Sequence, residues 1–342
     1  MPILTSSSEP AAARDPASLD LVLRLRHRRR EALDVESFEL IDPAGRPLPP
    51  FEAGSHLLVE CTRGIVRSYS LCNAPTERHR YQIAVLREAA SRGGSAAVHA
   101  DWQVGCTVRT SSPRNHFPLA AASTAPDGGR VLLLVGGIGI TPLLAMAEEL
   151  QRRARPFELH YCTRSAERAA FIDRLRAAPY AGAVLLHHDD GPPAQRFDAA
   201  AALGPAGPHD HLYVCGPAGF IDHVHAAATA LGWPDAQRHH ELFGALTELH
   251  VAGDQPFEIV VANRGLSVMV GAGETALAAL RRAGIDVLSS CDEGVCGTCL
   301  TGVVEGVPDH RDQYLTEADR ARNDCFTPCC SRARGGRLVI EV

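Results

Sequence analysis

Cys291-Asp-Glu-Gly-Val-Cys296-Gly-Thr-Cys299, completed by Cys329, is the stretch on which the reading of this chain turns. The spacing is C-x4-C-x2-C with 29 residues before the fourth cysteine, which fits the plant-type arrangement around a [2Fe-2S] cluster. Thiolates must converge on the irons while backbone N–H groups point at the sulfurs, so the loop has to be tight. Gly294 and Gly297 supply the dihedral freedom that such a loop needs. A structural zinc site is the competing assignment, but zinc motifs pair two C-x2-C knuckles and only one is present here. Cys325 and Cys330 compete with Cys329 as fourth ligand; the spacing selects Cys329 and leaves the other two as packed thiols.

Outward from the cysteines, the chain divides by texture. Phe257 to Val342 alternates strands with one helix (Thr275 to Arg282) and holds six of the eleven cysteines. Val131 to Phe243 alternates apolar strands (Val131 to Val135, Phe157 to Tyr161, Val184 to His187, Leu212 to Val214) with helices (Leu143 to Arg153, Ala166 to Leu175). That alternation predicts a parallel sheet flanked by helices. Leu21 to about Leu119 reads as short strands, among them Leu21 to Leu25, Ser55 to Glu60 and Tyr81 to Leu86, with turns such as Asp42-Pro43-Ala44-Gly45 between them. Many short strands at this spacing favour an antiparallel barrel. Expected boundaries are a disordered lead-in over residues 1–19, a barrel over 20–121, an α/β domain over 122–243, a linker over 244–254 and a cysteine domain over 255–342. The Ala/Ser/Pro/Gly-rich run Ala121 to Gly129 marks the first joint.

Composition sets outer limits. The 342 residues are 45% hydrophobic and 22% charged with a formal charge of −6, which gives no reason to expect nucleic acid or an anionic membrane as partner. No segment has the ~18 consecutive apolar residues of a membrane span. The N-terminus lacks an export signal, so a cytoplasmic protein with reduced thiols is expected, and the cysteine crowding calls for metal instead of disulfides.

Two further motifs sit at turns. Val131 to Val135 runs into Gly136-Gly137-Ile138-Gly139-Ile140-Thr141-Pro142. A buried strand, a glycine turn and a helix start make a pyrophosphate seat, with Thr141 as cap and Pro142 as first helical residue. Leu212-Tyr213-Val214-Cys215-Gly216-Pro217 repeats the strand-to-turn pattern and belongs at the same carboxyl edge, with Cys215 otherwise readable as a small buried hydrophobe. In the barrel, Arg67-Ser68-Tyr69-Ser70 offers a phosphate partner, a flat ring and hydroxyls, and Arg92-Gly93-Gly94-Ser95 offers a second anion seat at a helix start.

With these regions in place, and with Glu241-Leu242-Phe243 added, the sequence resembles the phthalate dioxygenase reductase family, vanillate O-demethylase reductase components included. The resemblance covers nearly the whole chain after about residue 20. It implies an antiparallel β-barrel flavin domain, an α/β nicotinamide domain and a β-grasp plant-type ferredoxin domain. It implies FMN, with Arg67 and the Arg92-Gly93-Gly94-Ser95 turn on the phosphate. Ser68, Tyr69, Ser70, Ala84 and Val85 then line the flavin and Phe243 packs near the ring. Gly136, Gly137, Gly139, Thr141, Gly216 and Pro217 hold the nicotinamide cofactor, Cys215 faces the reacting carbon, and Ser70 and Cys215 are the catalytic pair. NADH is the expected donor, although Thr163-Arg164-Ser165 leaves room for Arg164 to bind a 2′-phosphate. Cys291, Cys296, Cys299 and Cys329 hold the cluster.

The function so implied is a relay from NADH through flavin and cluster to a partner, a Rieske-type oxygenase acting on an aromatic acid or methoxy-aromatic. For that delivery the loop around Gly294 and Val295 is expected to be exposed. A reductase serving a cytochrome P450 and a zinc-stabilised binding module are the alternatives.

Overall fold

The structure is a computed structural model that describes residues 19–89, 93–120, 129–243, 253–289, 292, 294, 297–312, 314–315 and 317–342. The lead-in, the joint over 121–128, most of the expected linker, Arg92, Cys291, Val295 and Cys296 lie outside those residues.

The first unit contains β1 (Leu21–Ala32), β2 (Val35–Ile41), β3 (Ser55–Thr62), β4 (Ile65–Ser70), β5 (Tyr81–Leu86), α1 (Gly94–Asp101), β6 (Thr107–Thr110) and β7 (Arg114–Asn115). Its sheet runs β4-β3-β6-β1-β2-β5, with β7 beside β3. An antiparallel bridge between Leu71 and Ile83 joins the two ends of that order and closes the barrel. Alternation does the sorting in β1, where Leu23 and Leu25 are buried and Val22, Arg24 and Arg26 are exposed. Trp102, just past α1, plugs one end and donates its indole N–H to Cys61 O at 3.1 Å.

The second unit contains β8 (Val131–Gly136), α2 (Ile140–Arg152), β9 (Glu158–Thr163), α3 (Ile172–Ala177), β10 (Val184–His188), α4 (Ala199–Leu203), β11 (His211–Gly216), α5 (Ala218–Ala230) and β12 (Arg238–Leu242). All four of its strand pairings are parallel, in the order β10-β9-β8-β11-β12. Central β8 is buried along its whole length, as a strand covered on both faces must be. One expected element breaks in two. Ala166–Arg168 is a short 3-10 turn, and α3 starts only after Phe171 adopts a left-handed φ of 61°.

The third unit contains β13 (Phe257–Val261), β14 (Leu266–Val270), α6 (Ala276–Arg282), β15 (Thr301–Asp309), α7 (Glu317–Arg322), β16 (Cys325–Phe326) and β17 (Arg332–Glu341). A mixed sheet, β14-β13-β17-β15-β16, has only its β13–β17 pair parallel and carries α6 on one face, which is the β-grasp arrangement. Thr275 caps α6 by accepting from Ala278 N at 3.1 Å.

The barrel and the parallel sheet are not separately cored. Ala53, Cys72, Ala84 and Phe117 of the barrel share one buried cluster with Val131, Leu133, Val135 and Met146. Arg174 ties the seam, donating to Cys72 O at 2.8 Å and to Glu148 at 3.0 Å. No helix among the described residues is long and apolar enough to cross a membrane.

In the third unit a buried arginine gathers three loop carbonyls. Arg332 donates to Glu274 O at 2.8 Å and to Gln255 O and Gly271 O at 3.0 Å, with its guanidinium over the Phe257 ring. Asp254 lies 3.7 Å away and is held in turn by Arg311. Arg332→Ala leaves those acceptors without their donor in a dry site. It is expected to lower the stability of this unit by about 3 kcal/mol, read as a lower denaturant midpoint at unchanged slope.

Candidate functional site

Strand β4 delivers Arg67 and Ser70 to different neighbours. Gly93, at a left-handed φ of 91°, turns the chain into α1. A Cβ on Gly94 would stand 2.8 Å from Arg67 Cγ, so the arginine stem lies directly on the helix start. Glycine is therefore required for the Arg67 guanidinium, which donates to Val66 O at 2.8 Å, to lie against the first turn of α1. That arrangement is a donor set that fits a phosphate. Ser95 is already engaged, its Oγ accepting from Glu88 N at 3.3 Å. Ser68 and Tyr69 are half-buried; the Tyr69 hydroxyl lies 3.7 Å from Cys61 Sγ, and burial raises its pKa far above the ordinary phenol value.

Alternation along β5 separates two expected flavin contacts. Ala84 belongs to the cluster shared with the parallel sheet, whereas Val85 belongs to the barrel interior and its carbonyl is met by His99 Nε2 at 2.9 Å. Phe243, at the end of the second unit, packs on the shared cluster.

At the carboxyl edge of the sheet, β8 and β11 approach without side chains between them. A Cβ on Gly139 would meet Cys215 O at 2.2 Å, and one on Gly216 would meet Gly136 Cα at 2.8 Å. Gly137 has a left-handed φ of 56°. The expected capping differs in detail. Helix α2 begins at Ile140, Gly139 is the cap residue without a side-chain bond, and Thr141 donates back to Ile138 O at 3.2 Å. Pro142 is then the third helical residue. The Gly137–Gly139 3-10 turn runs straight into the helix and makes a side-chain cap unnecessary. Pro217 precedes α5 and packs close to Gly136.

Farther along this edge, Thr163 is committed internally, donating to Ser165 O at 2.9 Å with its Oγ1 2.8 Å from His188 Nδ1. Arg164 is exposed, and Asp190 N donates to its carbonyl at 3.2 Å, which puts acidic residues beside it.

The two edges meet at Glu241. Ser70 Oγ donates to Glu241 Oε2 at 3.3 Å, and Glu241 stands opposite Cys215 across the β11–β12 ladder. Burial at this seam lifts the Glu241 carboxyl to about 8, with the Ser70 bond opposing the shift. Burial also pushes the Cys215 thiol well above its ordinary value, Glu241 adding to the effect. The expected catalytic pair is thus joined through a residue that carried no role in the sequence reading. Its signal was slight: a carboxylate at the end of the last strand of a parallel sheet.

In the cysteine loop, Asp292, Gly294 and Gly297 all have positive φ (59°, 75° and 66°), the dihedrals that a tight thiolate loop calls for. Cys299 and Cys329 are buried in one cluster, which fits two ligands of a common centre. Cys330 is packed, its Sγ 3.3 Å from Thr327 Oγ1. The expectation of an exposed loop fails at Gly294, which is buried; the left-handed turns at Asp292 and Gly294 curl the chain inward there.

Comparison with known proteins agrees with this layout. The family described as 2Fe-2S iron-sulfur cluster binding domain matches residues 259–334 and displaces the zinc assignment. The chain is 47% identical over 314 residues to a vanillate O-demethylase oxidoreductase of a Pseudomonas species, covering 92% of this chain and 97% of that one. Among solved structures, phthalate dioxygenase reductase superposes with a TM-score of 0.70 at 39% identity, covering 94% of this chain and 98% of that one. An intact type IV self-sufficient cytochrome P450 monooxygenase superposes with a TM-score of 0.82 at 36% identity. There the match covers 98% of this chain but only 43% of the longer protein.

Glu241 gives a pH signature. Below pH 4.5 the carboxyl is protonated in both states; between 4.5 and about 8 the unfolded chain ionises while the folded one holds its proton. Stability therefore falls as pH rises through that window. The residue keeps some solvent contact, so a loss of about 1–3 kcal/mol is expected, below the value for full burial. Glu241→Gln should flatten this part of a stability–pH profile measured by denaturant titration. Gly139→Ala, which drives a methyl into Cys215 O, should lower stability by about 2 kcal/mol or more, read by calorimetry.

Proposed function

This chain belongs to the phthalate dioxygenase reductase family, and on that premise we propose that it is the NADH-dependent FMN/[2Fe-2S] reductase of a Rieske-type oxygenase system. The oxygenase substrate is an aromatic acid or methoxy-aromatic. The Ser70–Glu241–Cys215 seam carries the reading, because it sets the flavin wall of the barrel against the nicotinamide edge of the parallel sheet.

FMN, when bound, supplies the conversion of a two-electron hydride input into single-electron output. The chain's own residues make the surroundings. Arg67 and the Gly93-Gly94-Ser95 turn, with Arg92, hold the phosphate. Ser70 presents its hydroxyl to the ring, and Ser68, Tyr69, Ala84 and Phe243 shape the pocket, while Val85 belongs to the barrel interior behind it. Gly136, Gly137, Gly139, Thr141, Gly216 and Pro217 seat the dinucleotide at the sheet edge. Cys215 is a neutral, small wall at the reacting carbon, and burial favours the protonated form of Glu241, so charge beside the path of the hydride is suppressed. Cys291, Cys296, Cys299 and Cys329 hold the cluster.

NADH is favoured over NADPH because Thr163 is bonded internally and Asp189 and Asp190 stand beside Arg164, where a 2′-phosphate would be repelled. The protein is placed in the cytoplasm, where its thiols stay reduced. The likeness to the P450 monooxygenase supports a second reading in which the acceptor is a haem protein.

An anaerobic absorption spectrum before and after stoichiometric NADH tests the relay. Overlapping flavin and iron–sulfur bands that bleach are expected; a colourless protein reconstituted by neither flavin nor iron and sulfide refutes it. Cys299→Ser should keep NADH-driven ferricyanide reduction and lose cytochrome c reduction to background. Reduction of a purified Rieske oxygenase but not of a P450 would separate the two acceptors.

A further inference from the structure

A row of side chains leads from the flavin wall of the barrel to the cysteine loop. His56 on β3 stands directly opposite Ser70 on β4, so both side chains leave the same face of the barrel. His56 is buried, and its Nε2 finds no hydrogen-bond partner among the described residues. Its ring lies 5.3 Å from that of His116, just past β7. The His116 ring meets Tyr314 of the third unit edge-on at 4.6 Å, with Nε2 and the phenol oxygen 3.1 Å apart. Tyr314 in turn lies on the cysteine loop: a Cβ on Gly297 would fall 2.2 Å from its ring.

We propose that the His116–Tyr314 contact docks the ferredoxin domain onto the barrel and holds the cluster loop beside the flavin wall. His116 and Tyr314 are then positioning residues for electron passage between the two. This rests on the function proposed above. Gly297 must be glycine on two counts, its left-handed φ and the ring lying on its Cα. Gly297 therefore packs on Tyr314, whose backbone is held by Asp312 and whose phenol meets His116. His116 itself is exposed, so replacing it leaves the barrel core intact.

The test uses the holoprotein with two acceptors. Ferricyanide takes electrons from the flavin side; cytochrome c reports delivery through the cluster. One NADH reduces two cytochrome c haems, releasing NAD+ and one proton. His116→Ala is expected to leave ferricyanide reduction unchanged and slow cytochrome c reduction roughly fivefold, the factor controlled by one hydrogen bond in a docking equilibrium. His116→Gln, which keeps a hydrogen-bonding partner for the phenol, should restore most of the rate. Hydrogen exchange of amides around Gly297 and Tyr314 should quicken by a similar factor in His116→Ala. Unchanged cytochrome c reduction or unchanged exchange overturns the proposal. So does a parallel fall in ferricyanide reduction, which would place His116 at the flavin. A wild-type protein that reduces neither acceptor refutes the functional reading instead, and the exchange result alone then decides the docking contact.

Discussion

The close approach of β8 and β11 at their carboxyl ends is the constraint from which the rest follows. Gly139 lies against the Cys215 carbonyl and Gly216 against the Gly136 Cα at separations that leave no room for a Cβ. Only because the backbones meet there can Cys215 reach the sheet edge and can the Gly137–Gly139 turn start α2 beside it. The same edge is where β12 ends, and with it Glu241. A methyl group inserted at this point would displace the glycine turn and the Cys215 backbone together, since the two pack directly on each other.

Burial then fixes the electrical character of the site. His56 is pushed down to about 3, Glu241 up to about 8 and Cys215 well above its normal value, in each case chiefly by desolvation. His56 and Cys215 are therefore neutral at physiological pH, and the Glu241 carboxyl is shifted toward its protonated form. A wall of neutral polar groups can orient a hydride donor and acceptor without adding a fixed charge to either. Charge is concentrated instead at the Arg67–Gly94 junction, where a phosphate is the complementary partner.

Attachment between the units is uneven in strength. Barrel and parallel sheet share an apolar cluster and the Arg174 bonds, which tie the two together. The third unit has its own core, closed by Arg332 and Asp254, and touches the barrel through the polar His116–Tyr314 pair. Polar contacts of that kind form and break more readily than a shared apolar core. A carrier domain that must face first a donor and then an external acceptor is well served by the weaker of the two arrangements.

Much of this was legible in the chain itself. The cysteine spacing, the Gly136 to Pro142 run and the Arg67 to Ser70 run each carry local geometry in their order, because thiolates around iron, phosphates on helix starts and turns at glycine demand particular residues at particular separations. The period of the strands carried the barrel and the parallel sheet in the same way. Helix starts were less legible: Thr141 has the chemistry of a cap but does not act as one, because the preceding 3-10 turn had already satisfied the helix start. What tertiary structure alone decided are the partnerships between distant residues. Glu241 meets Ser70 across 171 positions and Tyr314 meets His116 across 198. Nothing local to either member marks such pairs. Their contact arises only when separate units come together, and that depends on the packing of the whole chain.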